Sequence, residues 1–216
     1  MFAALSLLAL VTGATASDTH SCIPKYNDIS TDPITAPESF SVRFYTSEVS
    51  EGVTNAPIEM TVTRSWAPLG VDRFYSLIQD NYYNCAAFFR VVPDFVVQYG
   101  IAAEPAETEK WNTPIADDPV LKSNSEWTVT YATAGPDTRT TQIFINYVNN
   151  DQLDEQGFAP FGIVTSGFDT ALSIVNPTPD SSNGISQPLY TKGGNEWLLG
   201  KYPNTTLITK VELVED

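Results

Sequence analysis

The sequence predicts a mainly β protein, a closed eight-stranded antiparallel barrel capped by two α-helices. Three observations lead there. Eight short runs read as strands, whereas only two stretches carry helical periodicity, far apart in the chain. The 216 residues suit one domain of ordinary size, and 42% hydrophobic and 12% aromatic residues supply a core without staples. A strand-rich chain with two separated helices favours a closed sheet whose open ends are covered.

The elements follow in chain order. Met1 to Ala16 carries no charged side chain; Phe2 to Val11 is apolar, and Ala14-Thr15-Ala16 is a small-x-small cleavage site before Ser17. Residues 1–16 therefore read as a signal peptide, which places the mature protein outside the cell or in the lumen of the secretory pathway. The apolar run is too short to span a bilayer, and no later run is long enough either. The last residues do not form a KDEL-type retention signal. Residues 17–38 are polar and turn-rich, with Pro24, Pro33 and Pro37, and read as an extended arm. The folded domain is assigned to 39–216.

Within it, Phe40 to Tyr45 and Ile58 to Val62 alternate apolar and polar, as half-buried strands do. Pro68 opens a helix with Val71, Phe74, Leu77 and Ile78 on one face. Phe88 to Val92 and Phe95 to Tyr99 are strands joined by the turn residues Pro93-Asp94. Ile101 to Asn124 reads as a long irregular segment bearing Glu104, Glu107, Glu109, Asp117 and Asp118. These carboxylates lack a nearby His and EF-hand spacing, so no metal is expected. Trp127 to Tyr131, Gln142 to Asn146 and Phe158 to Val164 are further strands. Phe168, Ala171, Leu172 and Val175 mark a second, short helix, and Leu207 to Val214 closes the domain.

Composition narrows the chemistry. With 11 Lys and Arg against 26 Asp and Glu, the formal charge of −15 argues against nucleic acid and against anionic membranes as partners. The one histidine, His20, falls in the arm, so the folded domain has no His-based triad or His metal cluster. No phosphate loop, dinucleotide fingerprint or G-x-S-x-G is present. A hydrolase built on paired carboxylates stays formally open. Cys22 and Cys85 are the only cysteines; in an oxidising compartment they pair, and otherwise Cys85 is a small buried residue. Asn204-Thr205-Thr206 is a glycosylation sequon at Asn204.

The richest segment is Phe88-Phe89-Arg90-Val91-Val92-Pro93-Asp94-Phe95-Val96-Val97-Gln98. It sets one Arg and one Gln in an otherwise apolar run, with Val96 and Gln98 on one strand face. The residues read either as a greasy pocket holding a cation and an amide, or as a strand end with Arg90 in solvent. Together with Ala132-Thr133-Ala134-Gly135-Pro136-Asp137-Thr138-Arg139-Thr140-Thr141-Gln142-Ile143-Phe144-Ile145-Asn146 and the block from Leu153 to Gly162, the segment resembles the cyclophilin family of peptidyl-prolyl cis-trans isomerases. Weaker agreement runs from about Ala56 to Tyr202 and includes Gly193-Gly194-Asn195.

The resemblance implies a fold of the same layout and a site residue by residue. Arg90 is the cation that contacts the prolyl amide, with Gln98 and Phe95 as its catalytic companions. Val96, Ala132, Thr133, Gln142, Phe144, Leu153 and Phe158 bind substrate. Several positions depart from the family pattern: Val96 stands for a Met, Thr133 for an Asn, and Phe158 for a pocket His. Gln152 stands for a rim Trp, which implies weak binding of cyclosporin. The implied reaction needs no cofactor, no metal and no covalent intermediate, because X-Pro rotation is opposed only by amide resonance. The expected partners are Pro-containing peptides and unfolded proteins, met by a monomer. The alternative reading is a catalytically weak module of the same fold that holds such peptides.

Overall fold

The computed structural model describes residues 22–53 and 55–214. The expected signal peptide, residues 1–16, and His20 lie outside the described residues. Eight strands form one curled antiparallel sheet: β1 (Ser39–Thr46), β2 (Ile58–Thr63), β3 (Arg90–Val92), β4 (Val96–Tyr99), β5 (Thr128–Tyr131), β6 (Ile143–Asn146), β7 (Pro160–Ser166) and β8 (Ile208–Val214). Each falls on a run that the sequence marks as a strand. Their order across the sheet is β3-β4-β6-β5-β7-β2-β1-β8.

The inner face is where alternation pays off structurally. Val42 and Phe44 of β1, Met60 and Val62 of β2, Val97, Val129, Ile145 and Phe161 join one core. Helix α1 (Pro68–Gln79) covers it with Val71, Phe74, Leu77 and Ile78, the face its periodicity predicts. Phe74 meets Phe161 with ring centroids 5.0 Å apart. Full burial of such side chains contributes about 1.5–3 kcal/mol each.

Two expectations need correction. The sheet is open rather than closed, because its edge strands β3 and β8 share no ladder. The chain just before β3 touches the start of β8 through the single bridge Ala87–Leu207 and short hydrogen bonds such as Ile208 N–H to the Ala86 carbonyl, 2.8 Å. Past that point the free edge of the β3 segment is taken by the loop 182–185, where the Ile185 N–H donates to the Phe89 carbonyl at 2.8 Å. The second correction is the helix count. Besides α1 and the expected short helix α3 (Phe168–Leu172), the structure holds α2 (Pro105–Lys110) and α4 (Gln187–Lys201). Helix α2 occupies part of the segment read as irregular.

Helix α4 has its own small core of Ala87, Phe89, Ile101, Ile185, Tyr190, Leu198 and Leu207. It is kinked at Gly194, whose φ of 56° and ψ of −158° are not helical. A Cβ there would lie 2.5 Å from the Ala103 carbonyl oxygen, so only glycine fits. The kink lets Asn195 reach two strand-side carbonyls: its N–H donates to Ala103 and its Nδ2 to Cys85, both at 2.8 Å.

The N-terminal arm is bound rather than loose. Cys22 and Cys85 form a disulfide. The Ala36 N–H donates to Asp72 Oδ1 at 2.9 Å and the Ile29 N–H to Asp80 Oδ1 at 3.0 Å. Asp80 is fully buried, and its other oxygen accepts from Lys110 Nζ and Trp111 Nε1 at 2.8 and 2.7 Å. One carboxylate thus joins the arm, the end of α1 and the end of α2. Asn204 lies exposed in a turn before β8.

A bridge spanning 63 positions removes chain entropy from the unfolded state, about 4 kcal/mol in the loop-closure model. The double variant Cys22→Ala with Cys85→Ala is therefore expected to lose about 2–4 kcal/mol in urea unfolding. A loss below about 0.5 kcal/mol would show that the arm's hydrogen bonds hold it equally well in the absence of the bridge.

Candidate functional site

The site begins as a row across three strands. Arg90 of β3 pairs with Gln98 of β4, and Gln98 pairs with Phe144 of β6. Direct partners in an antiparallel ladder share a face. Their neighbours Val91, Val97 and Ile145 enter the main core, so Arg90, Gln98 and Phe144 project from the opposite side. Val96, two residues before Gln98, stands on that side as well. The hairpin reverses at Pro93-Asp94, where Asp94 takes a φ of 58°, and the Phe95 N–H closes on the Val92 carbonyl at 3.1 Å. This turn sets the Phe95 ring beside Arg90, with Cζ 5.6 Å from the ring centroid.

Hydrogen bonds then fix the cation. Arg90 Nε donates to the Ser182 carbonyl at 2.7 Å, and Nη1 donates to Gln98 Oε1 at 3.1 Å. Because a guanidinium only donates, the Gln98 oxygen must face Arg90 and its amide nitrogen must face away. That nitrogen donates to Gln142 Oε1 at 2.9 Å, which turns the Gln142 amide nitrogen outward. The polarity of the whole Arg90–Gln98–Gln142 chain follows from the charge at one end. The guanidinium keeps N–H groups with no partner among the described residues. Partial burial lowers its pKa from the ordinary value, yet an arginine stays charged at neutral pH.

Around the cation lies a cavity of about 310 Å³ lined by Phe95, Val96, Phe144, Leu153 and Phe158, with Ala132 and Thr133 at one side. Its apolar residues form a cluster apart from the main core. They are not simply barrel interior. Phe144 and Phe158 meet edge to face, 5.8 Å between centroids. Gln142 lines a second, adjoining cavity of about 230 Å³ that shares Gln98, Ala132 and Thr133.

The pocket walls rest on buried amides. Asn150 Nδ2 donates to the Phe95 carbonyl at 3.0 Å and to Asn146 Oδ1 at 2.8 Å. Asn124 Nδ2 donates to the Phe158 carbonyl at 2.8 Å and to Asp154 Oδ1 at 2.7 Å, while Asn124 Oδ1 accepts from Thr130. Leu153 belongs to the 3-10 turn Asp151–Gln156, so the same network seats it. Burial pushes the Asp154 carboxyl up, but hydrogen bonds from Ser123 and Asn124 outweigh it and hold the group below its ordinary value.

Every residue assigned to the site from sequence is accounted for. Arg90, Phe95, Gln98, Val96, Ala132, Thr133, Phe144, Leu153 and Phe158 surround one cavity; Gln142 reaches it through Gln98. Gln152 is exposed and lies outside the lining. Sequence reasoning missed Ser182, whose carbonyl holds Arg90, and Asn183 and Gln187, which line the cavity. The turn signal Ser181-Ser182-Asn183-Gly184 marks the loop but not its destination. Gly184 presses against β3: at its φ of 73° a Cβ would lie 2.5 Å from Arg90 Cβ. Among the described residues no group of three or more His, Cys, Asp or Glu is placed to hold a metal. No described helix is long and apolar enough to cross a membrane.

Three comparisons bear on this site. A family model described as "Cyclophilin type peptidyl-prolyl cis-trans isomerase/CLD" matches residues 44–191. A peptidyl-prolyl cis-trans isomerase of Acinetobacter baylyi is 32% identical over 136 residues, which is 60% of this chain and 72% of the relative. Peptidyl-prolyl cis-trans isomerase 10 of Caenorhabditis elegans is 35% identical over 128 residues, 56% of this chain and 77% of the relative. Among solved structures, a cyclophilin type peptidyl-prolyl cis-trans isomerase of Cryptosporidium parvum superposes with a TM-score of 0.59 at 19% identity, covering 82% of this chain and 99% of its own. The same protein has also been solved in the presence of the dipeptide Ala-Pro.

The Asp154 network generates a pH dependence. A carboxyl depressed in the folded state stabilises fully above its unfolded value, and the contribution is lost as pH falls through the folded value. Thermal unfolding should therefore separate wild type from Asp154→Ala by several degrees near pH 7, and the gap should shrink progressively as pH falls below the ordinary carboxylate range. A gap that is constant across this range would show that Asp154 acts without its charge.

Proposed function

Because the chain belongs to the cyclophilin-type peptidyl-prolyl cis-trans isomerase family, we propose that the Arg90 cavity is where it isomerises X-Pro bonds. The observation that carries this assignment is the clamped cation in a mostly apolar pocket. Arg90 is held by Ser182, Gln98 and the face of Phe95, and still points N–H groups into the cavity.

The barrier to be lowered, roughly 20 kcal/mol, comes from amide resonance. The proline ring sits against Phe95, Val96, Phe144, Leu153 and Phe158. An Arg90 N–H donates to the prolyl nitrogen as it becomes pyramidal, which favours the twisted state over either planar isomer. The Gln142 amide nitrogen and Thr133 face the neighbouring backbone and hold one side of the bond while the other rotates. Since Arg90 is already oriented, little reorganisation accompanies rotation. No bond is made or broken, and no residue exchanges a proton.

The substrates in this reading are Pro-containing peptides and unfolded proteins, and the chain acts as a monomer. The leader 1–16, the Cys22–Cys85 bridge and the exposed sequon at Asn204 support a secreted or lumenal location, where disulfides persist.

Arg90→Ala should keep the fold, because Arg90 is half-buried outside the main core, and lower kcat/KM by two to three decades, equivalent to about 3–4 kcal/mol. A protease-coupled isomerisation assay on a Pro-containing peptide measures this, with circular dichroism as the fold control. An unchanged rate in folded variant would remove the assignment to this cavity. For the unmodified protein the rate should be flat between about pH 6 and 8, because no acid or base titrates in the mechanism. A bell-shaped profile would point to carboxylate chemistry instead.

A further inference from the structure

Next to the Arg90 cavity lies a larger cleft of about 920 Å³ between α2 and the segment that leads into α4. Pro105, Ala106 and Glu109 form one wall, and Ser186, Thr191 and Lys192 stand on the other. Asn183 and Gln187 line both spaces, so the cleft adjoins the cavity. We propose that this cleft is an extended subsite that binds the residues flanking the proline in a polypeptide substrate. The proposal rests on the isomerase reading of the Arg90 cavity and adds a determinant of substrate length to it.

Two features of the cleft support that occupant. The first is uncommitted polarity. The side chains of Asn183, Ser186, Gln187 and Thr191 make no hydrogen bond within the described residues and stand open to solvent, Gln187 in part. Amides and hydroxyls that both donate and accept match the alternating N–H and C=O of an extended peptide backbone. Pro105, Ala106 and Pro188 between them offer apolar contact to the side chains of the same segment. Glu109 and Lys192 add one charge of each sign, so the cleft tolerates either sign in the bound segment.

The second is preorganisation. The wall that carries these groups is pinned to the strand that carries Arg90. Ile185 is buried and its N–H is bonded to Phe89. Gly184 packs directly against the Arg90 Cβ and the Phe89 carbonyl, where a side chain would not fit. Tyr190 is fully buried; its hydroxyl accepts from the Ala87 N–H at 3.1 Å and pairs with Asn195 Oδ1 at 3.0 Å. A peptide laid in the cleft therefore meets groups whose backbone is already ordered, which spares the ordering cost of binding. Contacts remote from the reacting bond then add to kcat/KM, and truncated substrates lose them.

The test compares a tetrapeptide carrying a central X-Pro bond with peptides lengthened by about four residues, ~13 Å of extended chain, on the N-terminal or the C-terminal side. Lengthening on one side should raise kcat/KM roughly tenfold, and on the other side much less. Filling the cleft with Ala106→Trp and Thr191→Trp, both exposed and neither lining the Arg90 cavity, should abolish the gain and leave tetrapeptide turnover unchanged. If the filled variant also loses tetrapeptide turnover, Lys192→Glu decides: with flanking Asp compared against flanking Lys in the lengthened peptide, it should move the preference toward Lys by severalfold. Tetrapeptide turnover with no gain from length on either side overturns the subsite and leaves the isomerase reading standing. Absence of turnover on every peptide removes the isomerase reading and the subsite with it.

Discussion

The placement of one guanidinium governs the site. Arg90 reaches its position because β3 pairs with β4 in a register that sets it opposite Gln98, and β4 pairs with β6 so that Gln98 stands opposite Phe144. A slip of one residue in either ladder would send Arg90 toward the main core and Val91 to the cavity. Such a slip is strongly opposed, because Val91, Val97 and Ile145 would leave the interior together. The energy that orients the cation therefore comes from apolar burial on the far face of the sheet. The hydrogen bonds to Gln98 and Ser182 refine what the register has already decided.

This arrangement explains how a site with few polar groups is held in place. Its apolar walls come from separated parts of the chain, and their backbones are gathered by Asn124, Asn146, Asn150 and Asp154. A buried amide network is costly unless each member is paired, and here the members pair with one another and with the carbonyls of Phe95 and Phe158. The pocket is thus apolar along its lining and polar one layer behind.

The strands were legible because alternation and β-branched residues act locally, as in Ile58–Thr63 and Ile208–Val214. Helix α1 was legible because Val71, Phe74, Leu77 and Ile78 form one stripe. Helix α2 was not, since Pro105–Lys110 is polar nearly all round and its existence depends on tertiary ties at Lys110 and Trp111. Helix α4 was missed: Gly193-Gly194 interrupts any helical stripe across Gln187–Lys201, and Gly194 is the kink that seats the helix. Closure of the sheet was overestimated because a count of strands is silent about which edges meet. At the site, Arg90, Phe95, Val96 and Gln98 lie within one hairpin and could be grouped from the residues alone. Phe144, Leu153 and Phe158 needed the family resemblance. Ser182, Asn183 and Gln187 reach Arg90 from about ninety positions away, beyond any local pattern.

The loop 182–185 has an effect beyond the Arg90 cavity. An open sheet presents two rows of unpaired backbone groups, and such edges invite strands from other molecules. At the β8 end the exposed Lys210 lies on the outermost strand, and a charge there would be buried by an incoming chain. At the β3 end the sheet has only three residues, and the loop lies along the segment that precedes them. With one border lined by a loop and the other carrying a charge, an extended chain from another molecule finds few free backbone partners along the sheet.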